Sequence, residues 1–204
     1  MKNFSRKYKK HISNSGFTII EMITVISIFA AFAGIVLANL TDFNTSISTE
    51  NIAQDVALVV RESQAKAVSG VTDGNFVSGA KPSWGVRIDR DESTFYHFAD
   101  LNNNGRYNAG GGCENPLNEC RDVINLPSGY SFGKICAISL SSGFEDCGLS
   151  SVTLTFTRPQ QVPYVVDQSS GLPTEYTRVS IEIVNQQGSI KKVIVGRLGE
   201  ITVE

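Results

Sequence analysis

Asp100-Leu101-Asn102-Asn103-Asn104-Gly105-Arg106-Tyr107-Asn108 puts side-chain oxygens at positions 1, 3, 5 and 9 of a loop and glycine at position 6. That is the donor spacing with which the first part of a twelve-residue calcium loop surrounds its ion. The seventh residue, here Arg106, contributes its backbone carbonyl in such a loop. The twelfth position is Gly111, where a bidentate glutamate is expected; Glu114 and Glu119 are the acids that follow. Only Asp100 brings formal charge among the matched positions. The competing reading is a polar turn, which Asn- and Gly-rich stretches form readily. Calcium is the one cofactor the chain suggests, and nothing in it requires one.

Four cysteines offer a second chemistry: Cys113, Cys120, Cys136 and Cys147. Four allow three pairings; proximity in sequence favours Cys113–Cys120 and Cys136–Cys147, with crossed pairing open. Zinc would need tighter spacing such as C-x2-C, which is absent. Asn108-Ala-Gly-Gly-Gly-Cys113 lacks the Lys-Ser/Thr and helix of a phosphate cradle, so it reads as a loop pinned by its cysteine. His97 reads as a histidine on a strand face, with no G-x-S-x-G to accompany it in a hydrolase site. Lys191, Lys192 and Arg197 give the C-terminal end some positive charge for nucleic acid, opposed by Glu200 and Glu204. No constellation here makes the chain an enzyme.

The remaining candidate is a single acid in the wrong place. Phe17 to Leu40 runs 24 mostly apolar residues with one charge, Glu21. As a helix it is roughly 36 Å long, enough to cross a hydrocarbon core of about 30 Å. Before it stand Lys2, Arg6, Lys7, Lys9 and Lys10, with no acid. Such a flank holds its end in the cytoplasm, which places the bulk of the chain, cysteines included, across the membrane where disulfides persist. A lone carboxylate in the apolar part of a spanning helix is costly unless paired. Nothing basic in the helix can pair with Glu21. A new α-amino group, made by cutting before Phe17, lies one helical turn away. An ordinary secretory signal cut after Ala33, a plain signal anchor, and a buried core helix that the polar remainder of the chain could not wrap are the competing readings.

The basic leader, Gly16-Phe17-Thr18-Ile19-Ile20-Glu21 and the unbroken apolar helix resemble the class III signal of type IV pilins and pseudopilins. The resemblance implies cleavage after Gly16 by a prepilin peptidase and N-methylation of Phe17. It implies that Glu21 meets the terminal amine of an adjacent subunit when helices pack into a filament with other pilins. It covers about 25 residues. At the other end, Gly196-Arg197-Leu198-Gly199 resembles the Gly-Arg-x-Arg of DNA-binding FimT-like pilins but has Gly199 in place of the second arginine. The balance of charge also disfavours nucleic acid. The whole chain has 18 Lys/Arg and 20 Asp/Glu; the leader takes five of the former and none of the latter, leaving a mature net charge of −7.

The elements that must position these groups are legible in outline. Thr41 to Ser69 has neither proline nor glycine, and Phe43, Ile47, Ile52, Val56, Val59 or Val60, and Ala67 mark one apolar stripe. Asp42, Glu50, Asp55, Arg61, Glu62 and Lys66 are left for the opposite side. One helix of about 50 residues is expected, half in lipid and half on a domain, ending at Gly70. Gly34 serves close helix packing in the membrane or, as the resemblance implies, lets the stem stretch when the subunit enters a filament. Beyond Gly70, short β-like runs begin: a hairpin from Trp84–Asp89 and Ser93–Phe98, then Val123–Leu126, Tyr130–Leu140, an alternating Val152–Thr157, Tyr164–Val166, Tyr176–Val184 turning at Asn185–Gly188 into Ser189–Val195, and Glu200–Val203.

The expected fold is α+β: a long N-terminal helix, its first half transmembrane, on a mostly antiparallel β domain. That order is similar to the minor pseudopilins of the GspH/FimT group. The divisions are a leader at 1–16, a transmembrane and assembly helix at 17–40, its amphipathic continuation at 41–70 and a β-rich domain at 71–204. The function implied is a structural subunit, a minor pilin or pseudopilin of a type IV pilus or type II secretion filament. It would sit in the cytoplasmic membrane with its domain outside before entering the filament. A filament-tip binding module and a non-polymerising anchored domain are the alternatives.

Overall fold

The computed structural model describes residues 16–72, 81–108, 110, 112–115, 118–158, 163–167 and 176–204, without the side chains of 38–43 and 167. The basic leader, Gly111 and the side chains of Asp42 and Phe43 therefore lie outside the described residues. The chain is α+β. It divides into two units, 1–43 and 44–204.

Helix α1 (Ile19–Ser69) runs through both. Its first part belongs to the first unit, where Ile19–Leu37 is long and apolar enough to cross a membrane, a test that a signal sequence also passes. Every side chain from 16 to 37 is exposed.

The second unit begins within the same helix. Ile52, Ala53, Val56, Ala57, Val60 and Ala67 are buried in its core, so the stripe holds from Ile52 onward. Ile47 departs from expectation and stays 44% exposed. The helix there is anchored instead through Thr49, which accepts a hydrogen bond from Asn185 Nδ2 at 3.3 Å. The polar side is used as well. Arg61 donates to the carbonyl of Ile201 at 2.8 Å, and Gln64 to that of Gly199 at 3.0 Å. The helix stops at Gly70, whose φ of +65° a side chain rarely tolerates. The Gly70 and Val71 amides both turn back to the Lys66 carbonyl, which satisfies one of the helix's last free acceptors.

Ten strands follow: β1 (Ser83–Asp89), β2 (Thr94–Asp100), β3 (Cys120–Asn125), β4 (Tyr130–Ser139), β5 (Glu145–Leu149), β6 (Ser151–Phe156), β7 (Pro163–Asp167), β8 (Tyr176–Asn185), β9 (Ile190–Gly196) and β10 (Ile201–Val203). They form two five-stranded antiparallel sheets, ordered β3-β2-β1-β6-β7 and β10-β9-β8-β4-β5. The β1–β2 turn ties the sheets together: Asp91 donates to the Phe132 carbonyl and Phe132 to the Glu92 carbonyl. One core is shared by the helix stripe, Ile88, Phe95 and Leu154 of the first sheet, and Phe132, Ile181 and Val193 of the second.

One strand lies outside the expected set. Glu145–Leu149 is a strand that its composition hides; it holds four exposed residues and pairs only with β4, across the Cys136–Cys147 disulfide. Strand β6 alternates in sequence but is buried on both faces. Thr153 and Thr155, on one of those faces, are fully buried. What shields that face includes the loop after β2: Thr155 Oγ1 donates to the Gly105 carbonyl at 3.1 Å.

Candidate functional site

Two groups of residues stand out, one in each unit. The first is Gly16–Glu21. Gly16, Phe17 and Thr18 precede the helix, and Phe17 is 80% exposed. A Cβ added at Gly16 would meet nothing within 4 Å, so no packing in this structure asks for glycine there. The same is true of Gly34. Thr18 caps the helix: its hydroxyl accepts the Glu21 amide at 3.3 Å. Thr18-x-x-Glu21 is a capping-box sequence, in which the acid would reach back to the Thr18 amide. Only the first half forms. Among the described residues the Glu21 carboxylate has neither a hydrogen-bond nor an ion-pair partner. The sequence signal for this cap is Thr18 three residues before Glu21.

The second group is the segment between β2 and β3. Asp100 ends β2, and its carboxylate accepts the Asn104 amide at 3.1 Å and the Gly105 amide at 2.7 Å. Asn102 Oδ1 accepts the same Asn104 amide at 3.0 Å, so oxygens from loop positions 1 and 3 converge. Asn104 Oδ1 accepts the Arg106 amide at 2.8 Å, and its Nδ2 donates to Asn108 Oδ1 at 3.2 Å. Gly105 sits at φ +73°, the sharp turn that position 6 demands.

Sequence spacing leaves the acid beyond this loop open between Glu114 and Glu119. Glu114 is exposed. Glu119 is 4% exposed, and its carboxylate accepts the Asn108 amide at 2.6 Å. Burial pushes the Asp100 carboxyl above the usual carboxylate range. Burial does the same to Glu119, and the Asp100 charge pushes it further.

This segment has a small core of its own. Tyr107 stacks on Tyr96 at 5.3 Å and meets Phe98 at the same distance, with the Arg87 guanidinium over its ring. Cys113–Cys120 closes the stretch, and Cys136–Cys147 bridges β4 and β5; both pairings follow sequence proximity.

The other candidates have structural partners. Lys191 pairs with Glu50 at 2.5 Å and Lys192 with Glu182 at 3.3 Å. Arg197 is exposed in the turn between β9 and β10. The three do not form a free basic patch. His97 is buried against Trp84 at 5.3 Å, with Nδ1 3.4 Å from Asp122. Burial is the main cause lowering its pKa; Lys66 acts in the same direction, and Asp122 and Glu62 oppose.

No protein-family model matches the chain, and neither characterised proteins nor solved structures yield a match.

Proposed function

We propose that the chain is a filament subunit, a minor pilin or pseudopilin, cut after Gly16, methylated at Phe17 and held in the membrane by its apolar helix until it assembles with other pilins. One observation carries the reading. In an exposed apolar segment the Glu21 carboxylate has no partner among the described residues, while its amide is already capped by Thr18. A carboxylate that completed a capping box would need no further explanation. An unpaired one in this setting calls for a cation from elsewhere. The amine created at Phe17 is one turn away, on this helix or a neighbour's. The open space at Gly16 fits a residue selected for a peptidase rather than for packing.

The mature N-terminus tests the reading. Sequencing and intact mass of protein recovered from membranes are expected to give methylated Phe17. A start at Met1 would leave a plain anchor, and a start at Gly34 a secretory signal; either ends the proposal. Gly16→Val is expected to block cutting. Glu21→Ala is expected to be cut normally but to enter filaments poorly, and normal filament recovery would refute the pairing role.

A further inference from the structure

We propose that the segment joining β2 and β3 is a calcium site, in which Asp100, Asn102, Asn104 and the Arg106 carbonyl face an acid supplied by Glu119. Two independent observations carry it. One lies in the sequence: oxygen donors at loop positions 1, 3 and 5, glycine at 6 and a carbonyl position at 7 are a spacing that itself specifies a ligand, a hard cation. The other lies in the fold. Asp100 is fully buried and Glu119 nearly so. Among the described residues neither carboxylate has a Lys, Arg or His within ion-pair distance. Buried charges are normally paired or bound to metal.

Strand pairing brings the two acids together. Asp100 is the last residue of β2 and Glu119 immediately precedes β3. The antiparallel pairing sets Phe98 against Cys120, and Ala99 donates to the Glu119 carbonyl at 2.8 Å. Nineteen residues apart in sequence, the acids become neighbours across a sheet edge. The intervening stretch, closed by Cys113–Cys120, is an insertion between loop position 9 and the acid expected at position 12. This is why spacing alone ends on Gly111. Backbone amides offset part of the buried charge; a divalent cation would offset the rest.

The donor set selects the ion. All donors are oxygen, and the cysteines beside them are in a disulfide, so zinc and copper are poorly served. An asparagine-rich loop gives an adaptable shell of the kind calcium accepts and magnesium does not. With two formal charges, the affinity expected is that of extracellular modules, a dissociation constant on the order of 0.1–1 mM.

The test uses the full-length chain in detergent and does not depend on filament assembly, so its result is separable from that of the N-terminal analysis. After chelation and equilibrium dialysis, one calcium per chain is expected, with magnesium at least tenfold weaker. Calcium should raise the melting temperature read from Trp84 fluorescence. Asp100→Asn and Glu119→Gln should abolish that rise, so that each falls further below wild type in calcium than in chelator, where only an acceptor for a backbone amide is lost. Asn102→Ala, at an exposed side chain, should fold in any case and weaken binding about tenfold. Absence of binding by the wild type overturns the proposal. So does binding unchanged in all three variants, or a loss of stability by both acid variants that is equal with and without calcium. That last pattern would make the acids caps for backbone amides.

Discussion

Gly105→Ala probes the point where the loop after β2 is fastened to the first sheet. Three constraints meet at this residue. Its amide donates to Asp100 Oδ2 at 2.7 Å, its carbonyl accepts from Thr155 Oγ1 at 3.1 Å, and its φ is +73°. An alanine there pays for the left-handed backbone, roughly 1–2 kcal/mol. Its Cβ would also lie 2.3 Å from Tyr164 Cδ1. Overpacking costs about 1–3 kcal/mol, and the low end applies because Tyr164 is 40% exposed and its ring can swing outward. The sum is about 2–3 kcal/mol, or a fall in melting temperature of roughly 4–12 °C for a chain of this size. Urea unfolding followed by the fluorescence of Trp84, the sole tryptophan, reads this directly. The cycle with Tyr164→Ala separates the contributions: removing the ring should recover about 1 kcal/mol and leave the backbone cost of roughly 1–2 kcal/mol. A change below about 0.5 kcal/mol in Gly105→Ala would mean that the turn is not left-handed. Complete recovery in the double variant would mean that the ring contact alone requires glycine.

Four further expectations follow from the same structure. Ile52→Ala should cost about 2–4 kcal/mol in urea unfolding and Ile47→Ala under about 0.5, because only the former is buried; equal losses would return Ile47 to the stripe. Removing Cys136–Cys147 by paired serine substitution should cost about 2.8 kcal/mol for its separation of 11 residues, and removing Cys113–Cys120 about 2.4 for its separation of 7, if chain entropy dominates; a reversed order measured in the same denaturant would place the effect in the native state. With its pKa lowered in the fold, neutral His97 stabilises fully above the ordinary histidine value of about 6.5, and that contribution is lost as pH falls from there toward the depressed value. His97→Phe keeps a ring against Trp84 and should flatten the decline in urea midpoint below about pH 6.5; an unchanged slope would assign the decline to other groups. The wild-type protein is expected to leave duplex DNA unshifted on gels at low salt, and a shift abolished by Arg197→Ala would revive the nucleic-acid reading despite the pairing of Lys191 and Lys192.

The helix was legible because its evidence is local: an uninterrupted run to Ser69 and a glycine able to turn at position 70. Hairpins with short turns were legible for the same reason. Asn185–Gly188 reads as a turn, and Asn185 Oδ1 does accept the amides of Gln187 and Ser189. Strand β5 was hidden because pairing to β4 and a disulfide place it, with little burial of its own. The inside of β6 was hidden for a related reason. Alternation does not show that Thr155 meets a loop from fifty residues earlier. Glu119 could be read only as one of two acids past a broken motif, since its role depends on which strand lies beside β2. For β6 and Glu119 the missing information was a contact between distant segments, and composition carries no record of it.

The N-terminal segment reverses that logic, and this bears on the filament reading. Its meaning lies in what the chain does not supply. Thr18 already satisfies the Glu21 amide, so the start of the helix is stabilised with no demand on the carboxylate. Cutting before Phe17 would leave Thr18 and Glu21 in place, and the cap would survive processing. The new amine would then stand beside an acid that the cap has left unused. A residue needed only to begin the helix could be glutamine, which serves equally at this capping-box position. Glu21→Gln is therefore the sharper variant. If the side chain matters for the cap alone, glutamine preserves everything. If it matters for charge, glutamine keeps the helix start and the cutting but lowers entry into filaments, as alanine does.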